Sequence, residues 1–243
     1  MEGHARARYQ RYYLPMSLRL RVLAELRAVA DPSRAPAMQA YMKSSMPRLG
    51  VSAPDFYKAC RRVFADVTFP SAAAWQREVR TMWRRARYRE EWYAAVELTG
   101  VRAALPFQTP DVLPLYEEII VAGAWWDIVD GVAKHRLGLL LRRHPRPMRR
   151  AMLAWSRDDD MWKRRASILC QLAFKADTDL ELLYACIEPS LPSKEFFLRK
   201  AIGWALRQYA WTDPREVQRY VRAHDAELSG LSKREAQKNI GRP

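Results

Sequence analysis

Cysteine and histidine are scarce in this 243-residue sequence, which contains three cysteines and four histidines. Cys60, Cys170 and Cys186 lie far apart and form no Cys-x-x-Cys motif, and the histidines form no HxxxH pair. Such sparse ligands argue against a metal site and against a disulfide framework. Because each cysteine has largely apolar neighbours, we expect the three thiols to be small buried hydrophobes.

Long apolar runs and phosphate-binding loops are also missing. No stretch of about 18 apolar residues is present, so no membrane-spanning helix is predicted. Residues 1–13 lack the apolar core of a signal peptide. The P-loop, GxGxxG and GxSxG motifs are absent, which argues against the common nucleotide-binding proteins and serine hydrolases. We therefore expect no cofactor.

Positive charge dominates what is present. Lys and Arg number 42 against 27 Asp and Glu, which gives a net charge of +15 at pH 7. This excess favours a polyanionic partner, because binding releases the counterions condensed on the polyanion. Nucleic acid is the first candidate, and we expect a cytoplasmic, nucleoid-associated protein that binds no membrane.

Helical periodicity runs along the whole chain, and no segment alternates like a strand. The predicted helices cover residues 17–30, 36–46, 54 onward, 72–84, 87–98, 109–122, 125 onward, 146–155, 159–174, 177–187, 193–209, 213–224 and 232–240. Their predicted caps are Ser52, Asp159 or Asp160, Asp177, Ser193, Asp213 and Ser232. About a dozen helices joined by short turns, with only nine glycines in the chain, are typical of stacked helical hairpins.

We therefore predict an all-α fold, a curved right-handed solenoid of HEAT-like helical hairpins forming a single domain. The domain is expected to cover residues 16–243, preceded by a basic extension at residues 1–15. No repeat of fixed period is visible, so a compact irregular all-α domain is the alternative.

Two indoles and two carboxylates fall within the six residues Trp125-Trp126-Asp127-Ile128-Val129-Asp130. On a helix, Trp126 and Asp130 lie one turn apart, beside an apolar stripe. Burying a carboxylate is costly unless it is paired or used, so Asp130 either has a cationic partner or marks a site. A solvated Asp130 with Trp126 as packing is the simpler alternative.

A cation on an apolar helix face appears at Arg165. Its four helical neighbours, one turn away on either side, are all apolar. Its partner is either a core acid such as Asp130 or a phosphate lying in a groove that this face lines.

Aromatic and basic residues share a face of the helix predicted from Ser193 to Tyr209. Lys200, Trp204 and Arg207 lie on this face, a pattern used against nucleic acid. Packing of Trp204 with solvated cations is the alternative. Residues 142–150 contain a dense run of arginines. The simplest interpretation of such a run is a solvated surface.

Several motifs together resemble the DNA alkylation repair glycosylases of the AlkD type, which are HEAT-like solenoids. In order and spacing they cover about residues 35 to 240, and the departures are residues 1–15 and the more basic segment 142–150. The motifs are Ala40-Tyr41-Met42-Lys43, Leu49-Gly50-Val51, Trp125-Trp126-Asp127-x-Val129-Asp130, Trp162-Lys163-Arg164-Arg165-Ala166-x-Ile168-Leu169, the run from Ser193 to Arg207, and Leu231-Ser232-Lys233-Arg234-Glu235-Ala236.

The resemblance implies hydrolysis of the N-glycosidic bond of cationic alkylated purines, N7-alkylguanine and N3-alkyladenine, in double-stranded DNA. It implies a catalytic cluster of Trp126, Asp130 and Trp204. Tyr41 and Arg165 would contact the DNA backbone, and we add Lys200 and Arg207 from the basic helix face. We expect a monomer with no metal and no obligate protein partner.

Two other classes of function stay open. A non-catalytic protein that binds DNA structures would keep the basic surface but would not need Asp130. A protein-binding helical scaffold would explain a solenoid but neither the charge of +15 nor Arg165.

Overall fold

The computed structural model describes residues 16–240. Within that range the chain forms fourteen α-helices and no strand, which confirms the all-α prediction. The predicted extension, residues 1–15, lies outside the described residues. The chain clusters into two compact units, Met1–Ala104 and Leu105–Pro243. The curvature of the stack, its HEAT-like repeats and the proposed domain limits stay predictions.

The first unit contains five α-helices within its described part. They are α1 (Leu18–Ala28), α2 (Ala35–Met42), α3 (Ala53–Phe64), α4 (Ala72–Arg84) and α5 (Arg89–Leu98). A 3₁₀ helix at Arg102–Phe107 follows and includes the point where the chain passes from the first unit to the second. The first three residues of α5, Arg89, Glu90 and Glu91, are charged and buried. Glu91 pairs with Arg19 of α1 at 2.7 Å, and the Glu90 carboxylate accepts the backbone N–H of Leu49 at 3.1 Å and of Gly50 at 3.2 Å. These bonds fix the segment that follows α2.

The second unit contains nine α-helices within its described part. They are α6 (Leu113–Gly123), α7 (Trp126–Val132), α8 (Gly138–Arg143), α9 (Pro145–Trp155), α10 (Met161–Leu169), α11 (Leu180–Ile187), α12 (Phe196–Tyr209), α13 (Pro214–Ala223) and α14 (Gly230–Gln237). Shorter elements are a π turn at Ala133–Leu137 and 3₁₀ turns at Pro110–Val112, Lys175–Asp177 and Glu188–Ser190. Helix α10 packs against α6, α7, α9, α11 and α12. It therefore forms the centre of this unit.

Side-chain caps explain where several of these helices begin. Ser52, Asp160 and Asp213 accept first-turn N–H groups, as predicted. Asp177 was the wrong cap for α11, because it closes a 3₁₀ turn and Asp179 accepts the Leu182 N–H instead.

Two further predicted caps were wrong. Ser193 accepts the N–H of Glu195 in a local turn, so α12 begins only at Phe196. Ser232 lies inside α14, where its hydroxyl donates to the Arg199 carbonyl, and Ser229 caps the helix.

All three cysteines are buried and unpaired, as predicted. Burial raises the pKa of the Cys60 and Cys186 thiols to about 12 and raises that of Cys170 as well. Across residues 16–240, no helix combines the length and apolarity needed to cross a membrane.

Candidate functional site

An aromatic cluster joins the start of α7 to α10 and α12. Trp125, in extended conformation, is the residue before α7. Its ring centroid lies 6.1 Å from that of Trp162 and 5.1 Å from that of Phe197, and the latter two lie 5.0 Å apart. These rings hold together the three helices that carry Asp130, Arg165 and Trp204.

Asp130 and Arg165 form a two-bond ion pair between α7 and α10. Arg165 Nε donates to Asp130 Oδ1 at 2.7 Å and Nη2 donates to Oδ2 at 2.8 Å. Nη1 donates to the Phe197 carbonyl at 2.5 Å, and the guanidinium lies 5.9 Å from the Phe197 ring centroid. Two partners were considered for Arg165, a core acid such as Asp130 and a phosphate. In the structure the partner is Asp130.

The carboxylate is the more accessible end of this pair. The Asp130 side chain is 14% exposed, whereas the Arg165 side chain is 4% exposed. Burial raises the pKa of Asp130, while the hydrogen bonds and charge of Arg165 act to lower it. Two carboxylate oxygens offer about four lone-pair positions, and Arg165 occupies two of them. The pair can therefore present a fixed negative edge to a ligand.

The two predicted catalytic indoles lie on the helices that flank α10. Trp126 is the first residue of α7, one turn before Asp130, and Trp204 lies in the middle of α12. Both side chains are half-buried. Trp204 shares a helix face with Phe197, seven residues earlier, whose carbonyl binds Arg165. The structure thus places all three predicted catalytic residues on two helices that both pack against α10.

Lys200 and Arg207 converge on one carboxylate of α14. Lys200 Nζ lies 2.7 Å from Glu235 Oε1, and Arg207 pairs with Oε2 of the same group. The hydrogen bond from Lys200 is the main reason that the pKa of Glu235 is lowered. These two of the predicted DNA-binding cations therefore have an intramolecular partner, and neither is fully exposed.

Tyr41 belongs to the first unit, whereas the other predicted site residues belong to the second. It lies in the last turn of α2 with 74% of its side chain exposed. Lys43 ends this helix in the left-handed conformation, with φ 47°. Tyr41 is thus presented on the surface, and its contact with DNA stays a prediction.

Three structural participants were not identified from the sequence. Trp125 and Glu235 were noted only as parts of motifs, and Phe197 binds Arg165 through a backbone carbonyl. The aromatic residues before α7 and in the first turn of α12 could have indicated a cluster. Nothing in residue spacing indicates that a main-chain oxygen two helices away binds Arg165.

No metal centre is found among residues 16–240, since no three His, Cys, Asp or Glu residues are grouped to hold an ion. The described site consists of a carboxylate, a guanidinium and indole rings. Such groups can stabilise positive charge that develops on a ligand and can orient a water molecule.

Comparisons with known proteins point to one family. The family model described as "DNA alkylation repair enzyme" matches residues 22–240. A solved structure titled "Predicted DNA alkylation repair enzyme from Enterococcus faecalis" is similar, with 28% identity and a TM-score of 0.78. The match covers 88% of this chain and 98% of that one. No match was found among curated proteins.

Proposed function

The chain belongs to the DNA alkylation repair enzyme family, and from that premise we propose that it is a DNA glycosylase of the AlkD type. It hydrolyses the N-glycosidic bond of N7-alkylguanine and N3-alkyladenine in double-stranded DNA, in the cytoplasm at the nucleoid, as a monomer. Family membership supports a role in DNA repair, and the chemistry of the site supports this particular reaction.

The alkylated purine of the proposed substrate is already activated as a leaving group. Alkylation at N7 or N3 makes the purine a cation, so the base leaves without protonation by a strong general acid. The remaining barrier is the oxocarbenium-like charge that develops on the deoxyribose. A group that interacts more strongly with that charge than with the ground state accelerates the reaction. Asp130 is such a group.

The partial accessibility of the Asp130 carboxylate, beside a buried Arg165, is the observation that carries this proposal. A rigid, partly accessible anion opposes DNA binding, which the net charge of +15 otherwise favours. The same anion is useful if it stabilises a cationic sugar and orients the water that attacks C1′. Its position is thus better explained by catalysis than by affinity.

The aromatic and basic residues complete the proposed mechanism. The π faces of Trp126 and Trp204 favour a cationic sugar or base over a neutral one. Tyr41, Lys200 and Arg207 contact the DNA backbone, with the last two shared between phosphate and Glu235. Because Arg165 is buried, we assign it to the positioning of Asp130 rather than to a direct phosphate contact. The lesion stays in the duplex, so no enclosed base pocket is needed.

A non-catalytic DNA-structure binder is the second candidate. It is favoured by the completeness of the Asp130–Arg165–Phe197 network, which would also suit a purely structural ion pair. The two candidates differ in one measurable product, the free alkylated base.

Asp130→Asn separates the two. The amide keeps the shape of the carboxylate but loses the charge that interacts most strongly with the transition state. Loss of one such group costs about 3 kcal/mol, so we expect release of labelled N7-methylguanine under single-turnover conditions to slow roughly a hundredfold or more. Affinity for the duplex should be unchanged or slightly higher, because a charge of the same sign as phosphate is removed.

Asp127→Asn is the matched control. Asp127 carries the same charge on the same helix and accepts the Ile128 N–H through an oxygen that Asn retains. It should cleave at nearly the wild-type rate. Near wild-type cleavage by Asp130→Asn, with thermal unfolding showing that both variants are folded, would remove Asp130 from the mechanism. No base release by the wild type would leave the non-catalytic binder.

A further inference from the structure

Five arginines cluster where α8 meets α9, and the proposed reaction uses none of them. We call this cluster the α8–α9 arginine surface. Its members are Arg142, Arg143, Arg146, Arg149 and Arg150. Three carboxylates, those of Asp177, Asp179 and Glu181, lie against part of this surface. The surface therefore contains arginines that have a partner within the protein and arginines that have no ion pair among residues 16–240.

The first kind has structural partners. Arg142 donates to Asp177 at 2.8 Å and stacks on Phe174, whose ring centroid is 4.0 Å away. Arg149 pairs with Asp179 and with Glu181. Arg143 donates to the Leu105 carbonyl at 3.0 Å. These interactions join helices to neighbouring segments and explain these three arginines without any ligand.

Arg146 and Arg150 are of the second kind. Both are exposed, and among residues 16–240 no carboxylate lies within ion-pair distance of either. Helix α9 buries Met148, Met152 and Trp155, and at 100° per residue the two arginines lie on the opposite side. They are four residues apart, so both point the same way and are about 6 Å apart along the helix axis.

Local helix physics disfavours this arrangement. Arg146 is the second residue of α9, at the positive end of the helix dipole, and the first turn has no acidic residue. A cation there is unfavourable, and a like-charged neighbour at i+4 adds a penalty of similar size. An external polyanion would remove both penalties.

We infer that Arg146 and Arg150 contact phosphates of double-stranded DNA outside the catalytic site. The inference rests on the DNA binding of the proposed function and extends its contact surface. Both side chains present a donor fork suited to phosphate, and one strand carries a negative charge every 3.4 Å or so along the axis. The surface reads no base sequence and takes no part in bond cleavage.

The test is the double variant Arg146→Gln/Arg150→Gln, measured for duplex affinity as a function of salt. Each lost phosphate contact reduces the slope of log K against log salt by about 0.9, so the slope should fall by about 1.8. At 0.1 M salt this corresponds to binding weaker by about 60-fold. The single-turnover rate of base release at saturating protein should equal that of the wild type.

Arg142→Gln/Arg149→Gln is the matched control with the same change in net charge. Because these arginines are engaged by Asp177, Asp179 and Glu181, the control should lose thermal stability but keep most of the salt slope. Equal slope losses in the two double variants would show a general charge effect and overturn the assignment to Arg146 and Arg150.

Failure of the inference is distinguishable from failure of the proposed function. Wild-type base release together with an unchanged slope in Arg146→Gln/Arg150→Gln would overturn only the surface assignment. A membrane surface is the competing polyanion. Binding to anionic phospholipid vesicles that the variant loses, with duplex affinity intact, would therefore also overturn it.

Discussion

Burial and Arg165 act in opposite directions on the charge state of Asp130. Burial raises the pKa of Asp130 above its ordinary value of about 3.9, and the hydrogen bonds and charge of Arg165 partly oppose this rise. The folded chain thus keeps a proton on Asp130 at higher pH than the unfolded chain. Asp130 therefore stabilises the folded state most at pH values below its ordinary pKa. This contribution to stability is lost as the pH rises through the raised pKa of the folded state. The proposed reaction needs the carboxylate, so its rate rises over the same window.

Arg165→Gln should shift the acidic limb of the rate profile to higher pH. The substitution removes the groups that keep Asp130 ionised, so the carboxylate forms only in less acidic solution. The measurement is the single-turnover rate of base release against pH, with spontaneous depurination subtracted. Arg164→Gln serves as control, because Arg164 donates to Ser190 and to the Pro189 carbonyl and not to Asp130. A limb at the wild-type pH in Arg165→Gln would contradict this role.

Asp130 and Arg165 could be singled out from the sequence because each is a charge beside apolar residues. Their partnership was one of two alternatives, since sequence spacing does not distinguish a carboxylate from a ligand phosphate. The ion pairs of Glu235 could not be predicted from the sequence either, because only the approach of α14 to α12 brings this residue to Lys200 and Arg207.

At the scale of elements, α12 and α14 approach each other at Gly203. A Cβ added there would lie 2.5 Å from the Glu235 Cβ and 2.8 Å from the Ser232 carbonyl oxygen. Since both are parts of α14 close to its backbone, relief requires the helix to shift.

Gly203→Ala should therefore lower the free energy of unfolding by about 1–3 kcal/mol through overpacking. Gly131→Ala, in α7, has nothing within 4 Å of the new Cβ. It should raise the free energy of unfolding by about 0.5–1 kcal/mol, because alanine favours helix more than glycine does. Urea denaturation of both variants measures the difference. A Gly203→Ala protein as stable as the wild type would mean that α14 adjusts without loss.

Helix existence was predictable from periodicity, but several boundaries were not. The helix expected at residues 159–174 ends at Leu169. Beyond it, buried Gln171 binds the Asp179 backbone in both directions: its side-chain amide donates to the carbonyl at 2.9 Å and its oxygen accepts the N–H at 2.8 Å. The Gln171 side chain thus provides hydrogen-bond partners for the backbone of Asp179, eight residues away. These bonds stabilise a turn at a position where apolar spacing alone predicts a helix.

At the scale of the whole molecule, we expect the net charge of +15 to govern association with DNA. We expect duplex affinity to fall steeply with salt, by about a thousandfold between 50 and 200 mM if six phosphates are contacted. Duplexes of different sequence should bind almost equally, because phosphate contacts carry no sequence information. Fluorescence anisotropy over a salt series, with two unrelated duplexes, measures both. A flat salt dependence, or a strong preference for one duplex, would contradict the electrostatic account.

The three buried thiols bear on survival of the protein under the chemical stress that its family repairs. Soft electrophiles that methylate DNA react fastest with thiolates, and Cys60, Cys170 and Cys186 are shielded from solvent and held protonated by raised pKa values. The native protein should therefore resist iodoacetamide and react at all three positions only after unfolding, as mass spectrometry would show. A repair protein whose thiols are shielded in this way would remain active at concentrations of a methylating agent that damage DNA.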